Sequence, residues 1–168
     1  MGCVIADMRQ DFVQTINTAL AEIDLQSLTR FMQGHVDKGL ATLDAARTHF
    51  DRRDTEFTLD MAYLGQTHTV SVPLSVTVTN GLVTAPTETE IATAFDAAYR
   101  ATYGRLLDKG ARRVINLRSA ITGRRPRFDL ATLAPQAGSI DAAFKGTRQV
   151  HFDGAWHETK LYRRLELP

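Results

Sequence analysis

Residues 57–74 read FTLDMAYLGQTHTVSVPL and carry the pattern that decides the fold. Apolar residues occupy alternate positions in its first and last parts: Phe57, Leu59, Met61 and Tyr63, then Val70, Val72 and Leu74. This two-residue period is that of a strand with one buried face. Gly65-Gln66 interrupts the pattern, and the short interval favours an antiparallel hairpin over a parallel crossover. Because Pro73 has no backbone N–H, we expect the second strand at a sheet edge or a bulge.

Three further stretches predict extended structure by the same reasoning. Asn80-Gly81 predicts a tight turn from which Leu82-Val83 begins a return strand. Residues 114–121 alternate apolar with polar or small side chains, which is typical of a strand. Residues 149–158 predict a hairpin around the Asp153-Gly154 turn.

Apolar residues at three- and four-residue spacing predict two helices in the first part of the chain. The first is predicted over Met8–Ile23. The second is predicted from Asp24, a residue that can cap a helix start, through Arg47. Gly34 and Gly39 within it indicate either a weakened helix or a close backbone contact.

A third helix is predicted from the signals at its two ends. Thr87 and Glu90 have the spacing of a capping box, and Gly104 or Gly110 can end the helix in a left-handed conformation. Residues 124–146 show no regular period and predict a connector. Because hairpins dominate the strand signals, the sequence predicts an α+β domain, with a mostly antiparallel sheet packed on one face against two or three helices.

Composition and length predict one ordinary globular domain. We assign residues 1–168 to a single domain, with a helical segment over 1–50 and an α+β segment over 56–168 that ends in the hairpin. Hydrophobic residues at 43% and charged residues at 23% are close to globular averages. No apolar run reaches the roughly 18 residues of a membrane span, and no secretory pattern is present. The single cysteine, Cys3, excludes an intrachain disulfide and fits a reducing cytoplasm.

The balance of charge argues against polyanionic partners. Twenty Lys and Arg residues against nineteen Asp and Glu residues give a net charge of +1, so neither nucleic acid nor a membrane surface is expected to bind. One basic cluster stands out, and it is either a solvated strand edge and loop or a phosphate site. It comprises Arg112, Arg113, Arg118, Arg124, Arg125 and Arg127.

No recognised pattern of catalytic or metal-binding residues occurs in this sequence. The five histidines show no HExxH spacing and no neighbouring cysteine, and His151 with His157 is the best remaining pair. Nucleotide-binding glycine loops and a Gly-x-Ser-x-Gly turn are also absent from the sequence. We therefore predict no catalytic residue, no metal ligand and no cofactor held by this chain.

The densest polar and glycine-containing group surrounds the first hairpin turn. Asp60, Tyr63, Gly65 and Gln66 lie within seven residues of one another. A turn held by side-chain hydrogen bonds explains the group, and a loop that faces a ligand is the alternative.

Three longer segments follow recognisable patterns. Residues 6–15 follow Ala-Asp-x-Arg-His-Asp-Tyr/Phe-Val-x-Thr, with Gln10 in place of His. Residues 60–74 follow Asp-Met-Arg-Tyr-x-Gly-Gln and then Val-Pro-Leu, with Ala62 in place of Arg. Residues 95–104 follow Phe-x-x-x-His-x-x-x-Tyr-Gly, with Tyr99 in place of His. Four shorter segments complete the series, namely VINLR at 114–118, KGTR at 145–148, FDGAW at 152–156 and LYRR at 161–164.

Taken in this order, the segments resemble the C-terminal region of the hydantoinase A/5-oxoprolinase family, which includes N-methylhydantoinase A and acetone carboxylase β-like chains. The resemblance implies that an actin-like ATPase domain, which uses ATP and Mg²⁺, precedes this region in a larger chain. It also implies a companion B-type subunit, and a homo-oligomer is a further expectation. The chain is then a fragment that acts as a structural and interface domain of an ATP-dependent cyclic-amide hydrolase, for hydantoin or 5-oxoproline, inactive in isolation.

The expected interface or ligand-facing surface comprises Asp60, Tyr63, Gly65, Gln66 and Arg118. Two other functions stay open at this point. The first is a small assembly or regulatory subunit of an ATP-dependent ketone carboxylase, for acetone or acetophenone. The second is a stand-alone module that binds an anion through Arg112 to Arg127.

Overall fold

Strands and two long helices alternate along the computed structural model, which describes residues 6–107, 110–126 and 139–167. The elements are β1 (Met8–Ala19), α1 (Leu25–Ala45), β2 (Arg52–Tyr63), β3 (Val70–Leu74), β4 (Val78–Thr79), β5 (Leu82–Val83), α2 (Glu88–Tyr103), β6 (Arg112–Arg124), β7 (Phe144–Phe152) and β8 (Ala155–Tyr162). Two 3-10 turns, Leu20–Glu22 and Arg164–Glu166, complete the series. In the described ranges no helix has both the length and the apolar character needed to cross a membrane. The predicted α+β class is confirmed.

The chain divides into two compact units, Met1–Pro126 and Arg127–Pro168. The first unit holds a four-stranded sheet in the order β1-β6-β2-β3, in which every neighbouring pair is antiparallel. The predicted hairpin of β2 and β3 is confirmed, and Pro73 lies in β3 at the sheet edge, as expected. The assignment of residues 1–168 to one domain stays a prediction.

One face of this sheet forms the hydrophobic core with both helices. Alternate residues of β2 from Phe57 to Tyr63 are 0–2% exposed and join buried residues of α1 and α2 in a single cluster. Burial of each large apolar side chain contributes about 1.5–3 kcal/mol. The largest fully buried side chains are Phe95, Leu28, Met32, Leu43, Leu59, Met61, Ile91, Leu117, Ile121, Val36, Val72 and Val114. The helices therefore cover one face, and the alternation of side chains along a strand places Thr58, Asp60 and Ala62 on the opposite face.

The prediction of a helix over Met8–Ile23 is wrong, because these residues begin with the edge strand β1. From Met8 to Thr18 half-buried and exposed residues of β1 alternate, with Phe12 and Ile16 on the inward side. Gln10 and Gln14 share that side, so the two-residue period is hidden in the sequence. Val13, an apolar residue within the predicted helix, is 57% exposed. The segment 1–50 therefore contains a long strand before its helix.

The ends of α1 and α2 agree with the predicted signals. The carboxylate of Asp24 accepts hydrogen bonds from the backbone of Gln26 and Ser27. Thr87 and Glu90 form both bonds of the capping box. The left-handed residue that ends α2 is Gly104, with φ of 75°. Three end signals of the two helices are thus confirmed.

Two tight turns are also confirmed. Asn80 and Gly81 both have positive φ and join β4 to β5. Asp153 and Gly154 do the same between β7 and β8, the hairpin of the second unit. Residues 127–138 of the predicted connector, together with Cys3, lie outside the described residues.

Gly39 allows the backbone of α1 to lie close to Ile121 of β6. A close backbone contact was one of the two explanations for the glycines in this helix. A Cβ added at Gly39 would lie 2.7 Å from Ile121 Cβ of β6, whereas one added at Gly34 meets nothing within 4 Å.

Gly39→Ala should therefore lower the free energy of unfolding by about 1–2 kcal/mol, in spite of the higher helix propensity of alanine. Gly34→Ala is the matched control and should raise it by about 0.5–1 kcal/mol. Urea denaturation of both variants measures this, and equal effects of the two changes would exclude the contact.

His35 lies in the core between α1 and the sheet. Its ring stacks on Phe12 at 5.1 Å, and Nδ1 lies 2.9 Å from Ser119 Oγ. Burial, followed by the positive charge of Lys38, lowers the pKa of His35. As pH falls below about 6.5, the unfolded chain takes up a proton that the folded chain resists.

We expect the contribution of neutral His35 to be complete above that pH and to be lost as pH falls toward the folded-state pKa. Urea midpoints at pH 7.5, 6.5 and 5.5 test this. His35→Gln keeps a hydrogen-bonding group and should flatten the pH dependence. His49, whose side chain is 80% exposed, provides the control for the same replacement. An unchanged slope in His35→Gln would show that another group is responsible.

Candidate functional site

A polar network joins three strands on the face of the sheet opposite the helices. Asp60 of β2 is 8% exposed, and Nε of Arg118 lies 3.0 and 2.9 Å from its two carboxylate oxygens. Nδ2 of Asn116 donates to the same carboxylate at 2.9 Å. Thr15 of β1 donates to Oδ1 of Asn116 at 3.2 Å. The network therefore fixes the orientation of an Arg118 side chain that is 53% exposed.

Strand register brings these residues together from distant parts of the sequence. Asp60 is paired with Asn116, and Asn116 with Thr15, while Thr58 is paired with Arg118. Alternation along β2 and β6 then places Asp60, Asn116 and Arg118 on one face.

The electrostatics of Asp60 favour its ionised form. Burial raises its pKa, but the hydrogen bonds from Arg118 and Asn116, together with the charge of Arg118, lower it by more. The net pKa lies below the ordinary value. The carboxylate is thus a fixed negative charge at neutral pH, unsuited to exchange a proton as a general acid.

Other ion pairs extend this polar face. Arg124 binds Asp54 and Asp7, both at 2.7 Å, and Arg9 lies 2.9 Å from Asp11. On the helix side, Arg112 binds Asp96 at 2.8 Å.

Three members of the basic cluster, Arg112, Arg118 and Arg124, are therefore neutralised by carboxylates of the chain. This favours the solvated strand edge over the phosphate site. Arg127 lies outside the described residues.

A second group of polar and aromatic residues lies at the end of β2, on the helix side. The ring of Tyr63, which is 2% exposed, contacts Phe95 at 4.9 Å and Tyr99 at 4.7 Å. The chain then turns, with a hydrogen bond from Gln66 N to Tyr63 O at 3.0 Å and a φ of 87° at Gly65. Nε2 of Gln66 donates to Tyr99 Oη at 2.9 Å. The turn is therefore held by side-chain hydrogen bonds, as one reading of the sequence predicted.

An open cavity of about 410 Å³ adjoins this turn. Its walls are formed by Gln66, Thr67, His68, Tyr99, Tyr103, Arg105 and Leu107. Residues 60–66 and 95–104, two of the segments that follow recognisable patterns, thus meet at one cavity. We name it the Gln66 pocket.

The five residues predicted as an interface do not form one site. Asp60 and Arg118 lie in the polar network, whereas Tyr63 and Gln66 belong to the aromatic group on the other face of the sheet. Gly65 shapes the turn before Gln66. Their role as an interface stays a prediction.

Sequence reasoning missed four residues of these groups: Thr15, Asn116, Tyr103 and Arg105. The occurrence of Thr15, Asn116 and Tyr103 within recognisable patterns is the signal that could have indicated them. Thr15 and Asn116 meet only through nonlocal strand pairing, so no local pattern joins them.

The histidine pair considered for a metal does not come together. His151 is paired with Trp156, and His157 with Val150 in the next row of the hairpin, so the imidazoles lie on opposite faces. Within the described part of the chain, no three His, Cys, Asp or Glu side chains are grouped as a metal ion requires.

The chain was compared with known proteins. Residues 9–167 match the hydantoinase/oxoprolinase C-terminal domain family. Among solved structures, the chain is similar to the ATP-dependent caprolactamase from Pseudomonas jessenii, with 21% sequence identity and a TM-score of 0.58. It is also similar to a nucleotide-free acetone carboxylase, which carries out ATP-dependent acetone carboxylation, with 19% identity and a TM-score of 0.63.

These structural matches cover 98% and 99% of this chain but only 24% of each solved chain. The chain therefore spans about a quarter of the length of these structures. The comparison with curated proteins gave no match.

Proposed function

This chain belongs to the hydantoinase/oxoprolinase C-terminal domain family, and from that premise we propose that it is the structural and interface domain of an ATP-dependent enzyme that opens cyclic amides. One of its structural neighbours is a caprolactamase, and caprolactam is a cyclic amide. The domain has no catalytic residue of its own in this proposal. ATP and Mg²⁺ bind an actin-like domain of the same longer chain, and a B-type subunit completes the reaction in the cytoplasm. Hydantoin and 5-oxoproline are the proposed substrates.

The observation that carries this proposal is the polar network around Asp60. Asp60 itself is buried, but the exposed ion pairs around it, such as Arg9–Asp11, contribute only about 0–1 kcal/mol each, so stability alone is a weak reason to order so many charges on one sheet face. Ordered charges gain strength when a partner excludes water from them. Val13, directly opposite Arg118 in the register, adds an exposed apolar side chain to the same face. A surface that combines an arginine held in place with an apolar neighbour suits protein–protein contact.

Substitution of Val13 in the full-length enzyme tests this surface. Val13→Asp would place a carboxylate against the partner and should lower ATP-dependent ring opening at least tenfold, because the domain no longer docks. Leu82→Asp is the matched control, since Leu82 of β5 is also exposed, at 68%, and lies outside the network. Both variants should keep the wild-type melting temperature within a few degrees. Wild-type activity of Val13→Asp would refute the docking face.

A ketone carboxylase is the second candidate, and the likeness to acetone carboxylase favours it. Here the chain would be an assembly or regulatory region of an enzyme that carboxylates acetone or acetophenone. Incubation of the assembled enzyme with ATP, labelled bicarbonate and acetone distinguishes the two. Fixed label supports the carboxylase, and ring opening without fixation supports the hydrolase.

A further inference from the structure

We propose that the Gln66 pocket binds a small carboxylate that carries a planar ring. The cavity of about 410 Å³ falls within the range of small-molecule sites. It is lined by a cationic side chain, two tyrosine rings and the side-chain amide of Gln66 within one concave surface. This proposal is independent of the docking face, because the pocket lies on the other side of the sheet.

The charge in the pocket comes from Arg105. Its guanidinium has no hydrogen-bond or ion-pair partner among the described residues, whereas Arg112, Arg118 and Arg124 are all neutralised. A cation without a carboxylate partner, in a concave site, is available for a bidentate bond to an incoming carboxylate. His68 also lines the cavity.

The hydroxyl group of Tyr99 offers a second polar contact to a ligand. Its Oη accepts the amide hydrogen of Gln66 at 2.9 Å, while its return contact to Gln66 Oε1 is long, at 3.4 Å. The hydroxyl of Tyr99 therefore donates to Gln66 Oε1 only in a long bond, which a ligand acceptor at a shorter distance can replace. Since the Tyr99 side chain is almost fully buried, this donor is held in place rather than mobile.

The aromatic wall explains the preference for a planar ring. Tyr103 is 47% exposed, and its ring lies 4.6 Å from that of Tyr99 at an angle of 43°. Leu107, also exposed, lines the same cavity. A flat ring can stack on Tyr103 while its carboxylate reaches Arg105.

The end of α2 makes Arg105 decisive. The helix ends at Tyr103, so its last-turn carbonyls carry partial negative charge next to the pocket. These carbonyls disfavour an anion, and the guanidinium of Arg105 must outweigh them. Loss of its charge should therefore abolish carboxylate binding rather than weaken it slightly.

Nuclear magnetic resonance titration of the whole chain with benzoate tests the proposal. We expect saturable shifts of the Gln66 side-chain amide and the ring protons of Tyr103, with a dissociation constant in the millimolar range. Benzamide has the same shape without the charge and should bind at least tenfold more weakly. Arg105→Gln should lose benzoate binding, and Tyr103→Ala should weaken it at least fivefold.

Two controls keep the outcome unambiguous. Arg148→Gln removes an exposed arginine of β7, and it should bind benzoate like the wild type. The melting temperature of each variant shows whether the chain is folded. Equal affinity for benzoate and benzamide, binding retained in folded Arg105→Gln, or no saturation at any soluble benzoate concentration would each overturn the proposal.

Discussion

Phe95→Ala is expected to lower the free energy of unfolding by about 3–5 kcal/mol, because it removes a large aromatic side chain from the centre of the core. Phe95 of α2 is 0% exposed and contacts the rings of Tyr63 and Tyr99 at 4.9 and 5.5 Å. The guanidinium carbon of Arg112 lies 5.9 Å from the centre of its ring. Truncation leaves a cavity that these groups fill only in part. Guanidinium denaturation followed by circular dichroism measures the loss.

The control for this prediction is the same change at a surface phenylalanine. Phe31 of α1 is 40% exposed, so Phe31→Ala should cost at most about 1 kcal/mol. If the two variants lost equal stability, α2 would not pack on the sheet as described.

Asp60→Ala is expected to destabilise the first unit by about 2–3 kcal/mol, since it leaves Asn116 and Arg118 without their acceptor. The figure lies below that for a fully buried pair because the Arg118 side chain is 53% exposed and water screens it. The network lowers the pKa of Asp60, so its contribution is complete above the unfolded-state value of about 3.9. It is lost as pH falls through the lower folded-state pKa.

A double-mutant cycle with Arg118→Met isolates the pair. We expect a coupling free energy of about 1 kcal/mol or more at pH 7, which disappears at a pH below the folded-state pKa of Asp60. Asp11→Ala removes an exposed carboxylate on the same face and should change stability by less than about 0.5 kcal/mol. Additive effects of Asp60→Ala and Arg118→Met would contradict the network.

Local signals in the sequence were sufficient to predict most of the helices, strands and turns. The alternation from Phe57 to Tyr63, the capping box at Thr87 and the Asn80-Gly81 turn each depend on neighbours within a few residues. The edge strand β1 was predicted wrongly as a helix, because its inward face mixes Gln10 and Gln14 with apolar residues. Pairing with β6 overrides its apparent helical period.

The candidate sites were harder to predict because they depend on pairing between distant segments. Asp60 and Gln66 stand in one short stretch, yet they contribute to opposite faces of the sheet. Asn116 and Tyr99, their partners, are 56 and 33 residues away. The sequence indicated where polar groups are concentrated, but only the register shows which of them meet.

The central claim is that this domain supports catalysis without performing it. The most direct test measures ATP hydrolysis and the opening of hydantoin and 5-oxoproline by the chain alone and by the chain combined with its proposed ATPase domain and B-type subunit. We predict no turnover by the chain alone and ATP-dependent ring opening by the combination, reduced at least tenfold by Val13→Asp. Ring opening or ATP hydrolysis by the chain alone would contradict the claim.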